Sequence, residues 1–342
     1  MITRGLITMA TFMVRNVTQY SIARFLLGVA EAGFTPGVFL YLTGWVPAHW
    51  RAKALAAFLV GIPVSTVGGG PLASALLGMH QAGGLKGWQW LFLVEGGLAV
   101  VLGVMCLFIL IDTPEKAPWL DSREKAVLTA ALSREQSSIE AGHGTLTLGQ
   151  ALSNPSVLLL AFINFCSIVG LFGISFWLPQ IMKGMALSTT AIGFVTAGVG
   201  VVGGIGMVLW ARRSDRTGER VWHVSACCLL AGLGLAASSL FSAPLYALLA
   251  LTLAVTGAYA FQATFQAIPP SFLIGRAAAG GIALIISTGN PGGFVGPYLV
   301  GWIRDATQSF SAPLLTLAAF PLLAAMLIPL FGRSVKLVAQ PQ

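Results

Sequence analysis

The stretch WQWLFLVEGGLAVVLGVMCLFILI, residues 88 to 111, holds one charged side chain, Glu95, in its 24 positions and no proline. As an α-helix rising about 1.5 Å per residue it can cross a hydrocarbon core about 30 Å thick, for which roughly 20 apolar residues suffice. Its glycines do not argue against a helix, because bilayer-spanning helices tolerate glycine better than soluble ones. The same reading, carried outward along the chain, marks nine more runs: residues 1 to 15, 17 to 46, 54 to 79, 155 to 182, 188 to 211, 221 to 241, 244 to 268, 277 to 302 and 310 to 332. The predicted fold is an all-α membrane protein with ten transmembrane helices.

Composition agrees. Of 342 residues, 56% are hydrophobic and 9% charged, against roughly 45–50% and about 25% in soluble domains, and the mean hydropathy is +0.84. A soluble globular protein is excluded. The formal charge of +8 would point to nucleic acid in a soluble chain, but in a membrane protein the placement of charge matters more than its sum, and no nucleic-acid partner is expected. The four cysteines, Cys106, Cys166, Cys227 and Cys228, lie inside apolar runs, where cysteine behaves as a small hydrophobe. No disulfide, metal or cofactor is expected.

Lys and Arg between the runs set the orientation. Fourteen fall on one side, four (Arg15, Lys86, Lys183 and Arg304) on the other, and Arg24 remains inside a run. The fourteen-charge side is therefore cytoplasmic, with both termini, and the expected location is the inner membrane of the cell. The first run is short and contains Arg4, yet no small-residue cleavage site follows before Arg15, which argues against a secretory signal. The polar stretch from Asp112 to Asn154 lies on the cytoplasmic side, and its segment DTPEKAPWLDSREKAVLTAALSREQ (112–136) has the Ala, Leu and Glu content of a surface helix. Three parts follow: a bundle of four runs over 1–111, a cytoplasmic linker over 112–154 and a bundle of six runs over 155–342.

The two bundles share a repeat. RAKALAAFLVGIPVSTVGGGPLASAL (51–76) and RAAAGGIALIISTGNPGGFVGPYLVGWI (276–303) each open on Arg and reach a Gly-Pro pair, Gly70-Pro71 and Gly296-Pro297, about twenty residues on, one run before the last of each bundle. Under this duplication the basic loop ARRSDRTGER (211–220) has a counterpart 225 residues earlier, before residue 1. The repeat thus predicts about two further spans N-terminal to this chain, and predicts that the chain by itself transports poorly.

Two ionisable side chains sit inside the second run, Arg24 and Glu31. Seven residues apart, they share one helix face about 10 Å apart along the axis. Each costs about 2.5 to 3.5 kcal/mol at mid-bilayer, so such residues normally face the bundle interior and mark a pathway. In the functional reading Glu31 loads a proton on one side and unloads it on the other, with Arg24 opposing protonation. In the structural one, Arg24 snorkels to water and Glu31 is a neutralised packing residue. Glu95, about seven residues inside its run, is read as structural. In the second bundle the polar residues at membrane depth are Asn164, Gln180, Gln262, Gln266, Ser287, Thr288 and Asn290. They either cross-link helices, at about 0.6 kcal/mol each, or line a cavity where Pro269-Pro270 and Pro291 break the helices.

The chain resembles the major facilitator superfamily, in particular its anion:cation symporter branch of phthalate, tartrate, glucarate and galactonate permeases. The resemblance is carried by RFLLGVAEAGFTPGVFLYLTGWVP (24–47), GWQWLFLVEG (87–96), FWLPQIM (176–182), SDRTGER (214–220) and GNPGGFVGPYLVGWI (289–303). It implies a twelve-helix fold of which this chain looks like helices 3 to 12, and it carries the roles of an Arg and a Glu in proton coupling onto Arg24 and Glu31. It also implicates Asn164, Gln266 and Asn290 in hydrogen bonds to the substrate, with Gln262 and Ser287 beside them. Many relatives have FWALP where this chain reads FQAIP (265–269), so Gln266 departs from the pattern. SDRTGER has a mechanical reading in which Asp215 and Arg216 are gating residues, through contacts with neighbouring helix ends when the cytoplasmic side is closed, whereas Arg212, Arg213 and Arg220 read as positive-inside charges.

The expected function is proton-coupled symport of a small organic anion by alternating access, by a monomer whose partners are that anion, protons and membrane lipid. Two alternatives stay open: a membrane protein that does not transport, such as a sensor or truncated product, and an exporter of hydrophobic compounds. An enzyme is not expected, since the sequence shows no nucleophile with a base, no metal-ligand spacing and no phosphate-cradling loop.

Overall fold

The computed structural model describes residues 1–141, 153–241, 243–269 and 276–334. Among them no strand occurs, and the helices are α1 (Ile2–Ala10), α2 (Val17–Glu31), α3 (Phe34–Trp45), α4 (Ala48–Leu59), α5 (Gly61–Gly78), α6 (Gly87–Ile109), α7 (Ser122–Ala141), α8 (Pro155–Gly184), α9 (Thr189–Thr217), α10 (Val221–Leu240), α11 (Pro244–Phe265), α12 (Arg276–Gly289), α13 (Gly292–Thr307) and α14 (Ser311–Ser334). Seven helical segments are long and apolar enough to cross a membrane: Ala57–Gly78, Gly87–Ile109, Pro155–Gly184, Thr189–Thr217, Val221–Leu240, Pro244–Phe265 and Ser311–Gly332.

The other three expected runs are helical but interrupted, and proline accounts for two of the breaks. A proline has no N–H for the carbonyl four residues earlier, and its ring presses on that carbonyl. Pro36 has no N–H to offer the carbonyl of Ala32, where run 17 to 46 divides into α2 and α3. Pro291 acts so on Ser287, where run 277 to 302 divides into α12 and α13. The first run is the nine-residue α1 followed by a single 3-10 turn, Thr11–Met13.

The chain forms two compact units, one of residues 1–58 and 71–141, the other of 59–70 and 142–342. In the first unit α1 lies along α6, and the approach is close: a Cβ atom on Gly5 would stand 2.7 Å from the carbonyl oxygen of Gly96. No residue of α2 is buried. The C-terminal end of α6 is tied to α3, with the Tyr41 hydroxyl and the Trp45 indole N–H both donating to the carbonyl of Ile111, at 3.1 and 3.0 Å. The indole of Trp45 also stacks on Trp119 in the polar stretch beyond it. There the reciprocal hydrogen bonds of Asp121 and Glu124, side chain of each to backbone N–H of the other at 2.7 and 3.0 Å, open α7 as a capping box. Glu115, outside the membrane, is held below the usual carboxylate range by hydrogen bonds from its own backbone N–H and the Thr113 side chain. Residues 142–152 of the expected linker lie outside the described residues.

In the second unit α8 is the central helix, with 67% of its apolar window buried. Phe261, Phe265, Phe331, Ile163, Ile268 and Ile285 are among the fully covered side chains that join α8, α11, α12 and α14. A second cluster, including Leu235, Leu251, Val255, Tyr259 and Leu317, joins α10, α11 and α14. Residues 59–70 belong here because Thr66 shares a 3.0 Å hydrogen bond with the buried hydroxyl of Tyr259 and Pro63 packs where α9 has Gly204. All four cysteines are free thiols, and Cys166, Cys227 and Cys228 are buried in these clusters.

Candidate functional site

In the first unit the charged residues of the second run, Arg24 and Glu31, both lie on α2, and each makes its contact with a different residue. Glu31, the last residue of α2, places Oε1 2.6 Å from Nε of Arg4 on α1, and the two side chains are 41% and 43% exposed. Arg24 turns the other way. Its Nε donates to the Tyr20 hydroxyl at 2.8 Å, and the guanidinium carbon lies 5.1 Å from the centre of the Tyr20 ring. The physical reason is side-chain direction: helical Cα–Cβ bonds tilt towards the N-terminus, so a long side chain reaches the residue one turn before it rather than the one two turns after. Arg4, inside the first run, is the partner of Glu31. The i, i+4 spacing of Tyr20 and Arg24 was a usable signal, whereas nothing local links Arg4 to Glu31. Glu95 on α6 is exposed and makes no hydrogen bond or ion pair among the described residues.

In the second unit, Asn164 on α8 is 5% exposed. Its Nδ2 donates to the carbonyl of Ile285 on α12 at 3.0 Å, while its buried Oδ1 has no partner among the described residues. The crossing is tight: a Cβ on Gly289 would collide with the Asn164 amide. Asn164 therefore serves as a cross-link and keeps a spare acceptor, an arrangement that polar groups buried in protein seldom leave without use. Ser287 and Asn290, at the Pro291 break, are exposed, and Gln262 and Gln266 are half-buried on and just beyond the end of α11. These positions border one shared core, since Ile163, Phe261, Phe265 and Ile285 belong to the same cluster. The other polar positions divide. Thr288 spends its hydroxyl on the carbonyl of Leu284, at 2.7 Å, and Gln180 is exposed. Of the Pro269-Pro270 break, Pro270 lies outside the described residues.

The SDRTGER loop is ordered by residues other than the two singled out in it. α9 ends at Gly218, whose φ of 66° is the left-handed turn that glycine adopts without strain. The carboxylate of Glu219 then accepts from the first free backbone N–H groups of α10, those of Trp222 at 2.9 and 3.0 Å and His223 at 3.2 Å, and Ser214 donates to the Glu219 carbonyl at 3.1 Å. Arg220 donates through Nη1 to the carbonyl of Ala267, just past α11, at 2.6 Å. A guanidinium on an orphan carbonyl at a helix C-terminus is the favourable placement for a cation, so Arg220, read from sequence as a positive-inside charge, has a structural contact. Asp215 and Arg216 are exposed and make no hydrogen bond or ion pair among the described residues.

Residues 1–297 match the sequence profile of the family described as Major Facilitator Superfamily. A "Putative tartrate transporter" of Agrobacterium vitis is 45% identical over 336 residues, covering 98% of this chain and 74% of that protein. A "Quinolone resistance transporter" of Acinetobacter baumannii is 36% identical over 315 residues, covering 92% of this chain and 72% of that protein. Among solved structures, a bacterial homologue of the human lysosomal transporter Spinster, inward-facing and unoccupied, superposes with a TM-score of 0.72 at 17% identity, covering 97% of this chain and 81% of that one. That likeness is one of fold.

Proposed function

The chain belongs to the Major Facilitator Superfamily, and on that premise we propose that it works as a proton-coupled symporter of a small organic anion, a sugar acid or another carboxylate, by alternating access. The observation that carries this reading is the charged trio Arg4, Glu31 and Arg24 on two adjoining helices of the first unit. Ionisable groups placed at such cost inside membrane segments mark ion and substrate paths. One carboxylate supplies a proton site; two guanidinium groups supply an anion site. The 45% identical relative named as a tartrate transporter supports a carboxylate substrate. Asn164, Gln262, Gln266, Ser287 and Asn290 are proposed as hydrogen-bonding partners of that substrate, and Asp215 with Arg216 as gating residues.

The test is uptake of radiolabelled tartrate into proteoliposomes. Accumulation is expected when the outside is made acidic and is expected to vanish with a protonophore. A second reading, export of an apolar compound, is favoured by the relative named for quinolone resistance. It becomes the better one if no carboxylate accumulates while a quinolone is driven out by the same gradient.

The proposed orientation, in the inner membrane with both termini cytoplasmic, rests on the fourteen-to-four division of Lys and Arg. In a background freed of the native cysteines, Ser122→Cys is expected to react with a membrane-impermeant maleimide from the cytoplasmic side only, and Gly184→Cys from the opposite side only. Labelling of both from one side refutes the orientation.

A further inference from the structure

Where α8 and α13 end and α14 begins, three side chains meet that the transport reading does not use. The guanidinium carbon of Arg304, in the last turn of α13, lies 5.4 Å from the centre of the Trp177 ring and 4.9 Å from that of Phe310. The two rings stand 6.0 Å apart at 60°, and the guanidinium occupies the corner between them. Both rings are held in place by the protein. The Trp177 indole N–H donates to the carbonyl of Pro297 at 2.9 Å. Its ring lies against Gly301, where a Cβ would stand 3.2 Å from it, and both rings pack on the core of the second unit.

A guanidinium has five N–H donors and no acceptor. Aromatic rings attract its charge but do not accept those N–H groups as a carbonyl or carboxylate does. Arg304 is half-buried, and among the described residues it makes no hydrogen bond or ion pair, not even with the exposed Asp305 beside it. Donors withdrawn from water normally have a partner. The long side chain is also ordered by the rings already, so a ligand need not bear the cost of immobilising it.

We propose that Arg304, braced by Trp177 and Phe310, is an oxyanion-binding site that takes a carboxylate or phosphate group on the unpaired N–H groups of its guanidinium. The planar fork fits two oxygens of either group at once, which a lysine ammonium cannot do. Two sources offer such a group at a membrane surface: a dissolved anion and the phosphodiester of a lipid headgroup. Lys183, exposed in the last turn of α8, adds a second positive charge at this end of the unit against the one negative charge of Asp305. Arg304 belongs to the second unit, whereas Arg4, Arg24 and Glu31 belong to the first, so the inference does not depend on the symport reading.

Fluorine NMR of the complete protein, labelled with fluorotryptophan and purified in a maltoside detergent that carries no phosphate, tests this. The Trp177 signal is the one missing from Trp177→Phe. Titration with inorganic phosphate, tartrate or short-chain phosphatidylglycerol is expected to move that signal saturably in wild type and to leave it still in Arg304→Gln. Arg304→Lys is expected to bind about tenfold more weakly, as a point charge replaces the fork. Phe310→Leu is expected to bind about threefold more weakly, as one brace is lost. Saturation by phosphate or tartrate upholds the site and assigns it to a dissolved anion; saturation by the lipid alone upholds it and assigns it to the headgroup. No saturable movement with any of the three overturns the proposal, as does the wild-type response in Arg304→Gln. If Trp177→Phe does not fold, the count of radiolabelled phosphate, tartrate and phosphatidylglycerol bound per protein decides. Arg304→Gln is then expected to bind one equivalent fewer of at least one of them, and equal counts for all three overturn the proposal.

Discussion

Glu31→Gln is expected to reduce pH-gradient-driven net uptake of the substrate anion to the level of protein-free liposomes while leaving exchange of external for internal substrate intact. The amide has nearly the shape of a protonated carboxyl and cannot release a proton, so the carrier is held permanently in its loaded form. Exchange needs only the loaded carrier to reorient; net symport needs it to unload and return empty. The substitution also removes the 2.6 Å ion pair to Arg4, but its cost to folding is small. With both side chains about two-fifths exposed, water and salt screen the pair, and exposed pairs contribute at most about 1 kcal/mol. A loss of uptake without a loss of protein therefore reports on coupling. Gradient-driven uptake at the wild-type rate in Glu31→Gln takes Glu31 out of the mechanism.

What could be read from sequence followed the physics that is local. Long apolar runs placed all seven membrane-length segments, because in lipid the backbone has to satisfy its own hydrogen bonds and only a helix does so within one segment. Proline placed the break at Asn290–Pro291, since the missing N–H is a property of one residue. The break at Ala32 was as readable from Pro36 but was passed over within a single thirty-residue run. The site was legible only in part. Arg24 and Glu31 could be put on one face by periodicity, yet periodicity says nothing about the direction in which a side chain leans, and so it did not show that Arg24 turns to Tyr20. Arg4 lies on another helix, and its meeting with Glu31 is a fact of tertiary packing. The same holds for Arg220 and Ala267, 47 positions apart. Asn164 was singled out as a polar residue at membrane depth, but its division of labour, one donor spent on Ile285 and one acceptor left over, follows from the neighbour it has and not from its place in the run.

The largest effect on folding is expected at a glycine that pattern alone would treat as one of forty-one. α10 and α11 pack backbone to backbone. A Cβ on Gly257 of α11 would stand 2.6 Å from both the amide nitrogen of Ala231 and the carbonyl oxygen of Cys227, and one on Gly234 of α10 would stand 2.6 Å from the amide nitrogen of Ala254. Each helix therefore seats its glycine in the other's main chain, and no flexible side chain is present to give way. Around this contact Leu235, Leu251, Ala254, Val255 and Cys227 are all at most 3% exposed, so separating the helices opens the core on both sides. In lipid there is little hydrophobic drive to hold two apolar helices together; close packing supplies much of the association. Gly257→Val is accordingly expected to cost about 3 kcal/mol or more, the upper end for overpacking a core, and to leave little monodisperse protein after solubilisation. Gly257→Ala is expected to lower the melting temperature by a smaller amount. Gly198→Val, at a position with no atom within 4 Å of its would-be Cβ, is expected to melt with the wild type. Equal melting of Gly257→Val and wild type in detergent would show that the α10–α11 contact does not hold the second unit together.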